Sequence, residues 1–339
     1  MLTIGYIGNG KSTNRYHLPY VLLRDFLKVK TIYARNVINV KWSKIDGVYY
    51  TSDLNELMND PEIQLIVICT FQDSHYDYAK MALNKGKHVL VEKPFMMTLA
   101  QAEEIFALAK VKGLLVQCYQ NRRYDSDFLT VQKVIESRRL GNIFEVEMHF
   151  DYYRPEVPES SMAFNPYESF LYSHGCHTID QVISYFGNPD QVVYDVRALL
   201  GREKLSDYFD IDLFYGKMKV SVKSSYFRMK PRPSFIVYGN NGMFIKETPD
   251  RQEEHLKLFY LPGAANFGLD EPQHYGTLTY YKAGLYCEEL VISEIGDYGR
   301  VYDEIYETLI HGKKAVVKDE QTLKVMEILE TGIKTLKDK

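Results

Sequence analysis

Three groups in this 339-residue chain have types and spacings that could do chemistry: the loop Gly8-Asn9-Gly10-Lys11-Ser12, the lysine at 93 and the histidine at 177. The loop fits two patterns. Gly5, Gly10, Lys11 and Ser12 have P-loop spacing, in which a glycine-rich loop, a lysine and a hydroxyl hold a nucleoside triphosphate and magnesium. Gly8, Gly10 and Thr13 fit the dinucleotide-binding turn, apart from a third position that is usually Gly or Ala. A P-loop strand would have to end before Gly5, which leaves too few residues for a strand, whereas the dinucleotide reading uses all of Leu2 to Ile7. A P-loop enzyme also needs an aspartate at the tip of a second strand to organise magnesium. The apolar run Gln64 to Thr70 ends at Cys69-Thr70-Phe71 instead, so the dinucleotide reading is preferred.

Oxidation of a secondary alcohol separates a hydride from a proton, and a nicotinamide cofactor carries the hydride. A lysine ammonium near the reacting oxygen stabilises developing alkoxide charge, and a histidine titrating near neutrality can take or return the proton. Lys93, between Glu92 and Pro94, and His177 suit these two roles. His174, His177 and Asp180 stand three apart and would share one face of a helix whose apolar positions are Ile179, Val182, Ile183 and Phe186. His and Asp are also metal ligands, but no third, separate ligand group is evident and no metal is expected.

The elements that would position these groups alternate in the first third of the chain. Leu2–Ile7, Val29–Ala34, Gln64–Thr70, His88–Glu92 and Leu114–Tyr119 read as strands. Leu18–Phe26, Asp53–Met58, Tyr76–Lys85 and Glu103–Lys112 read as helices. Such alternation implies an α/β, doubly wound parallel sheet of the Rossmann kind, with ligands beyond the carboxyl ends of its strands. Gly8, Arg35, Thr70, Lys93 and Asn121 would converge there. About 20 residues past the glycines an NAD-preferring fold puts Asp or Glu on the ribose 2′-hydroxyl. Arg35 stands here instead, a planar cation suited to a 2′-phosphate, so NADP is the expected cofactor, with NAD an alternative. Lys11 and Ser12 are expected beside Arg35 on the adenosine-side phosphate.

The second half is rich in strands: Ile143–Tyr153, Gln191–Leu199, Ile211–Tyr215, Met218–Tyr226, Phe235–Tyr238 and Met243–Lys246. Helices are predicted at Asp127–Ser137, from about Tyr172 to Phe186, and at Tyr298–His311 and Thr322–Lys337. These residues alone indicate an α+β second domain. The division is expected at 1–122 for cofactor binding and 123–339 for substrate binding and oligomerisation.

The ordered series Cys69, Thr70, His75, Ala79, Ala82, Leu83, Gly86, Lys87, His88, Val89, Leu90, Glu92, Lys93 and Pro94, with His17 and Pro19 after the glycine loop, resembles the Gfo/Idh/MocA oxidoreductases. The resemblance implies a C-terminal domain built on a large open mixed sheet, through which such proteins commonly form homodimers or homotetramers. It also implies a sugar, cyclitol or related polyol or ketone as substrate, His177 as the catalytic histidine, and His75, Glu92 and Asn121 among the cofactor-side residues. Dehydrogenases of the inositol type in that family usually carry an aspartate four residues before the histidine. Ser173 stands there in this chain, and Tyr172 or Asp180 is expected to take part in its place. The alternative is a non-catalytic cofactor-binding sensor on the same fold.

Composition narrows the classes. Hydrophobic residues at 45% and charged residues at 25% describe an ordinary globular chain. A net charge of -4 offers no basic surface for nucleic acid. The four cysteines form no C-x-x-C pair, no basic segment precedes an apolar signal core, and no run of 18 apolar residues occurs. A cytoplasmic protein without membrane or nucleic-acid partners is expected. Twenty-eight tyrosines could form an aromatic surface for a polyol or an interface, or be compositional habit.

Overall fold

The structure is a computed structural model that describes residues 1–37, 41–155, 169–201 and 206–337. In chain order its first elements are β1 (Leu2–Ile7), α1 (Leu18–Val21), β2 (Leu27–Tyr33), β3 (Tyr49–Thr51), α2 (Leu54–Met58), β4 (Leu65–Ile68), α3 (His75–Asn84), β5 (His88–Val91), α4 (Leu99–Lys112) and β6 (Val116–Cys118). They are followed by α5 (Ser126–Glu136), β7 (Ile143–His149), α6 (Cys176–Phe186), β8 (Gln191–Arg197), β9 (Tyr208–Tyr215), β10 (Met218–Ser225), β11 (Phe235–Gly239) and β12 (Gly242–Lys246). The last are α7 (Gln252–Lys257), β13 (Gly276–Lys282), β14 (Leu285–Val291), α8 (Arg300–His311) and α9 (Asp319–Lys337). No helix among the described residues is long and apolar enough to cross a membrane.

The chain divides into two compact units. The first comprises Met1–Asn121, Glu254–Phe267 and Tyr298–Met326, so two late segments join the parallel sheet. Its strands are all parallel, in the order β3-β2-β1-β4-β5-β6. This is the doubly wound order whose crevice opens where the connections reverse, between β1 and β4. β1 and β4 are buried along their full lengths, as expected for strands covered on both faces. Helix ends are set by local chemistry. The Thr98 side chain accepts from the Gln101 amide to start α4, and Gly113 in the left-handed region ends it.

The predicted helix Leu18–Phe26 stops at Val21. The Arg24 amide turns back to the Val21 carbonyl and its guanidinium takes the Tyr20 carbonyl at 2.9 Å, so the last turn is closed early. The three-residue strand β3 lacks the apolar run that marks its neighbours; it forms by pairing with β2.

The second unit comprises Arg122–Glu253, Gly268–Asp297 and Glu327–Lys339. Its eight strands run in the order β14-β13-β12-β11-β7-β10-β9-β8, mixed because β7 and β10 pair in parallel and the other neighbours are antiparallel. Alternation sorts the faces: Val146, Met148, Phe209, Ile211, Leu213, Val220 and Val222 are buried. The opposite face carries cross-strand ion pairs such as Lys219 with Glu145 at 2.8 Å. The hairpin β13–β14 was not legible in the sequence because its outer strand is exposed at nearly every position and so has no inward pattern. Six of the tyrosines, Tyr6, Tyr20, Tyr119, Tyr172, Tyr298 and Tyr302, are among the largest fully buried side chains, whereas Tyr49, Tyr153, Tyr281 and Tyr286 are exposed.

Candidate active site

In the first unit the candidate residues stand at the carboxyl ends of parallel strands. Gly8 follows β1, Arg35 lies two residues beyond β2, Thr70 two beyond β4, Lys93 two beyond β5 and Asn121 three beyond β6. Gly8 has φ +110, and a Cβ there would come 2.5 Å from the Cys69 carbonyl oxygen, so only glycine lets β1 leave the sheet beside β4. Gly5, the first glycine of the P-loop pattern, lies inside β1 against the side chains of Ile63 and Ile66, which removes that reading. Thr13, the irregular third position, donates from Oγ1 to the Gly8 carbonyl at 2.7 Å and closes the turn from within.

The turn suits a pyrophosphate. Space beside Gly10 is open, and the Asn9 amide nitrogen is buried without a hydrogen-bond partner while its oxygen accepts from Asn14 at 2.8 Å. An orphaned donor at a glycine turn is the feature a bound anion would satisfy. Lys11 is exposed at the turn. Arg35 is exposed and makes no ion pair among the described residues.

Ser12 is engaged elsewhere: its hydroxyl donates to Oε1 of Glu92. The same oxygen lies 2.9 Å from His17 Nε2, and Oε2 accepts from the Lys93 amide at 3.0 Å. Burial pushes the Glu92 carboxyl up, but the hydrogen bond and attraction of His17, then Lys93 and Ser12, hold it at about 2. His17 Nδ1 is 2.5 Å from the Tyr302 hydroxyl, which stands 3.0 Å from that of Tyr6. His17, Cys69 and Glu92 also bring three potential metal ligands within 4.8 Å of one another. The 2.9 Å contact between His17 Nε2 and Glu92 Oε1 is a hydrogen bond.

His75 is buried, with Nδ1 3.1 Å from the carbonyl oxygens of Pro94 and Phe95 and Nε2 3.2 Å from that of Thr70. Burial holds it below the ordinary histidine range, and it ties the loop after β4 to the loop after β5. The Thr70 hydroxyl accepts from Ser74 at 2.8 Å. Asn121 is buried at the start of a single helical turn, Asn121–Tyr124.

In the second unit the helix preceding Gly187 begins with a wide π-turn, Leu171–Gly175, and continues as α6. Every residue from Cys176 to Ile183 is buried, so the apolar stripe has no solvated face opposite it. His177 and Tyr172 are buried in it. The wide turn separates His174 from Asp180. His174 Nδ1 and the Ser173 hydroxyl are 2.8 Å apart, and the ring sits 4.6–6.3 Å from those of Phe170, Tyr152, Phe150 and Tyr226. Asp180 instead receives two hydrogen bonds of 2.7 Å from the Arg123 Nε and Nη2 groups. Burial raises the Asp180 carboxyl, and the guanidinium opposes that rise. Arg123 was legible only as one of two arginines after Asn121; its partner lies 57 residues away.

The parallel order, glycine turn and unsatisfied Asn9 donor define a dinucleotide-binding protein. Family models match both halves: an oxidoreductase family, NAD-binding Rossmann fold, over residues 2–120, and its C-terminal alpha/beta domain over residues 132–339. The chain belongs to the Gfo/Idh/MocA oxidoreductase family. It is similar to the uncharacterised oxidoreductase YhhX of Escherichia coli strain K12, at 49% identity over 98% of this chain and 96% of that protein. A crystal structure of YhhX matches with a TM-score of 0.94 over 98% of this chain and 97% of that one, at 48% identity. The scyllo-inositol 2-dehydrogenase (NADP(+)) IolW of Bacillus subtilis strain 168 is 31% identical over 100% of this chain and 94% of its own.

Proposed function

We propose that the chain is an NADP(H)-preferring dehydrogenase or reductase acting on a CH–OH group of a sugar, cyclitol or related polyol, or on the matching ketone. The observation that carries this reading is the strand-end series Gly8, Arg35, Thr70, Lys93 and Asn121 on one parallel sheet. When bound, the nicotinamide would accept or return the hydride. The Gly8-Asn9-Gly10 amides and the Asn9 side chain would hold the pyrophosphate, with Lys11 and Arg35 on the adenosine-side phosphate. Exposed Arg35 without a carboxylate partner among the described residues supports NADP over NAD, as does the NADP(+) in the name of IolW. Thr70 and Asn121 would line the cofactor's path. Ser12, His75 and Glu92 would serve the cofactor half by fixing its loops, since their hydrogen bonds run to protein groups.

Lys93 would stabilise the developing alkoxide and His177 would exchange the hydroxyl proton. Tyr172 remains the proposed substitute for the family aspartate, with Ser173 and His174 beside it. Asp180 would act indirectly, because Arg123 occupies both its oxygens. Residues 1–122 would carry the cofactor and 123–339 the substrate, with the ion-paired sheet face of the second domain as the contact of a homodimer or homotetramer.

A second reading, a cofactor-binding sensor without turnover, draws on Ser173 alone. Fluorescence titration with NADPH and NADH, followed by a polyol panel that includes scyllo-inositol, separates the two. NADPH binding with turnover supports the enzyme; tighter NADH binding removes the role given to Arg35, and binding without turnover on any polyol favours the sensor.

A further inference from the structure

Resting on the reading of Lys93 as catalytic, we propose that Tyr302, acting through His17 and Glu92, is a positioning residue for Lys93. The connection is continuous. Glu92 accepts from the Lys93 backbone amide through Oε2 at 3.0 Å, so the attitude of its carboxylate sets the turn on which the lysine side chain is mounted. Its Oε1 is shared by the Ser12 hydroxyl and His17 Nε2. Through Ser12 the turn after β5 is registered to the glycine turn after β1. Through His17 it is registered to α8, because His17 Nδ1 and the Tyr302 hydroxyl share a hydrogen across 2.5 Å. The Tyr6 hydroxyl, 3.0 Å from that of Tyr302, ends the chain inside β1.

Every part of this chain is held from turning. The His17 ring lies 4.0 Å from that of Tyr119 at a 31° tilt and meets Tyr6 and Tyr302 edge-on. Burial raises the Tyr6 and Tyr302 hydroxyls well above the usual range, so both keep their hydrogens. α8 is pinned by Arg24, which binds the Asp303 carboxylate and the Tyr20 carbonyl together. Buried polar groups cost stability unless paired, and apolar residues of similar volume would fill this space without that cost. A polar chain running from α8 to the backbone of Lys93 has a physical use that an apolar core lacks: it allows the lysine turn only one orientation.

The test reads Lys93 itself. In the full-length protein, the rate at which Lys93 is acetylated by acetic anhydride at fixed pH is followed by peptide mass spectrometry, with exposed Lys85 as the internal reference. Glu92→Gln removes the carboxylate that accepts from the Lys93 amide and from His17, and Tyr302→Phe removes one oxygen at the far end. Each is expected to change the Lys93 rate threefold or more relative to Lys85, while the melting temperature reports that the variant is folded. Tyr6→Phe, which leaves the link between Tyr302 and His17 intact, should shift the rate in the same sense as Tyr302→Phe but by less, and it serves should Tyr302→Phe not fold. Unchanged Lys93 rates in folded Tyr302→Phe or Tyr6→Phe together with Glu92→Gln overturn the proposal. Turnover in Lys93→Met tests the catalytic reading separately: activity retained there removes the role of Lys93, whatever the labelling shows about its position.

Discussion

Asp180 and Arg123 form a two-pronged ion pair inside the second unit, both hydrogen bonds at 2.7 Å and both side chains buried. The pair spends both carboxylate oxygens on one guanidinium, leaving Asp180 to hold the segment after Asn121 against α6. Asp180→Asn should therefore act on stability first. Breaking one partner of a buried pair costs about 3–5 kcal/mol, and urea unfolding should show a loss of that order. A loss below about 1 kcal/mol would mean that the pair is not the anchor it resembles.

Lys93→Met and His177→Asn should each lower kcat by about 100-fold or more on the best polyol of the panel, the scale of a positioned acid, base or charge stabiliser. NADPH affinity should stay within a few-fold, measured by the same fluorescence titration. Wild-type kcat in either variant would remove that residue from the mechanism.

Arg35 is exposed just beyond β2. Arg35→Asp should weaken NADPH and strengthen NADH, moving the ratio of their dissociation constants at least 10-fold, because an anion repels a 2′-phosphate and accepts from a 2′-hydroxyl. An unmoved ratio would show that Arg35 does not read the ribose.

Glu92 gives a pH signature. Its carboxyl is held at about 2 in the folded protein against 4.5 ordinarily, so the folded state favours the ionised form. A depressed pKa contributes stability that is fully present above pH 4.5 and is lost as pH falls toward 2; the shift corresponds to about 3 kcal/mol. Unfolding free energies from pH 6 to pH 2 should fall more steeply for wild type than for Glu92→Gln. Parallel curves would show that the carboxylate is not stabilised by its neighbours.

Gly8→Ala should lose cofactor binding and stability together. The added Cβ meets the Cys69 carbonyl at 2.5 Å in a backbone with φ +110, which an L side chain rarely adopts. Calorimetry should show a lowered melting temperature and NADPH titration a weakened affinity. Gly10→Ala, with open space at its Cβ, should leave the melting temperature nearly unchanged.

Much of the first unit was legible because its signals are local. Buried parallel strands are continuous apolar runs, and glycine, asparagine and lysine at their carboxyl ends are read by position alone, as with Gly8, Lys93 and Asn121. The short strand β3 and the hairpin β13–β14 were not legible, the first for its length and the second because its outer strand is exposed. The late segment Glu254–Phe267 gave no sign that it belongs to the first unit, since nothing in its pattern names a partner, and for Tyr298–Met326 only the family resemblance offered a return toward the cleft, beside simple packing of a terminal helix.

The sequence by itself determined the parallel sheet, the dinucleotide turn, the family and the residue types available for hydride chemistry, because periodicity and short motifs survive without knowledge of distant neighbours. Only the tertiary structure decided what those residues touch. It turned Ser12 toward Glu92, spent Asp180 on Arg123, set His174 among aromatic rings and brought Tyr302 to His17 across 285 positions of chain. The reason is physical: a buried polar atom must find its partner in space, and folding supplies that partner from wherever in the chain it comes.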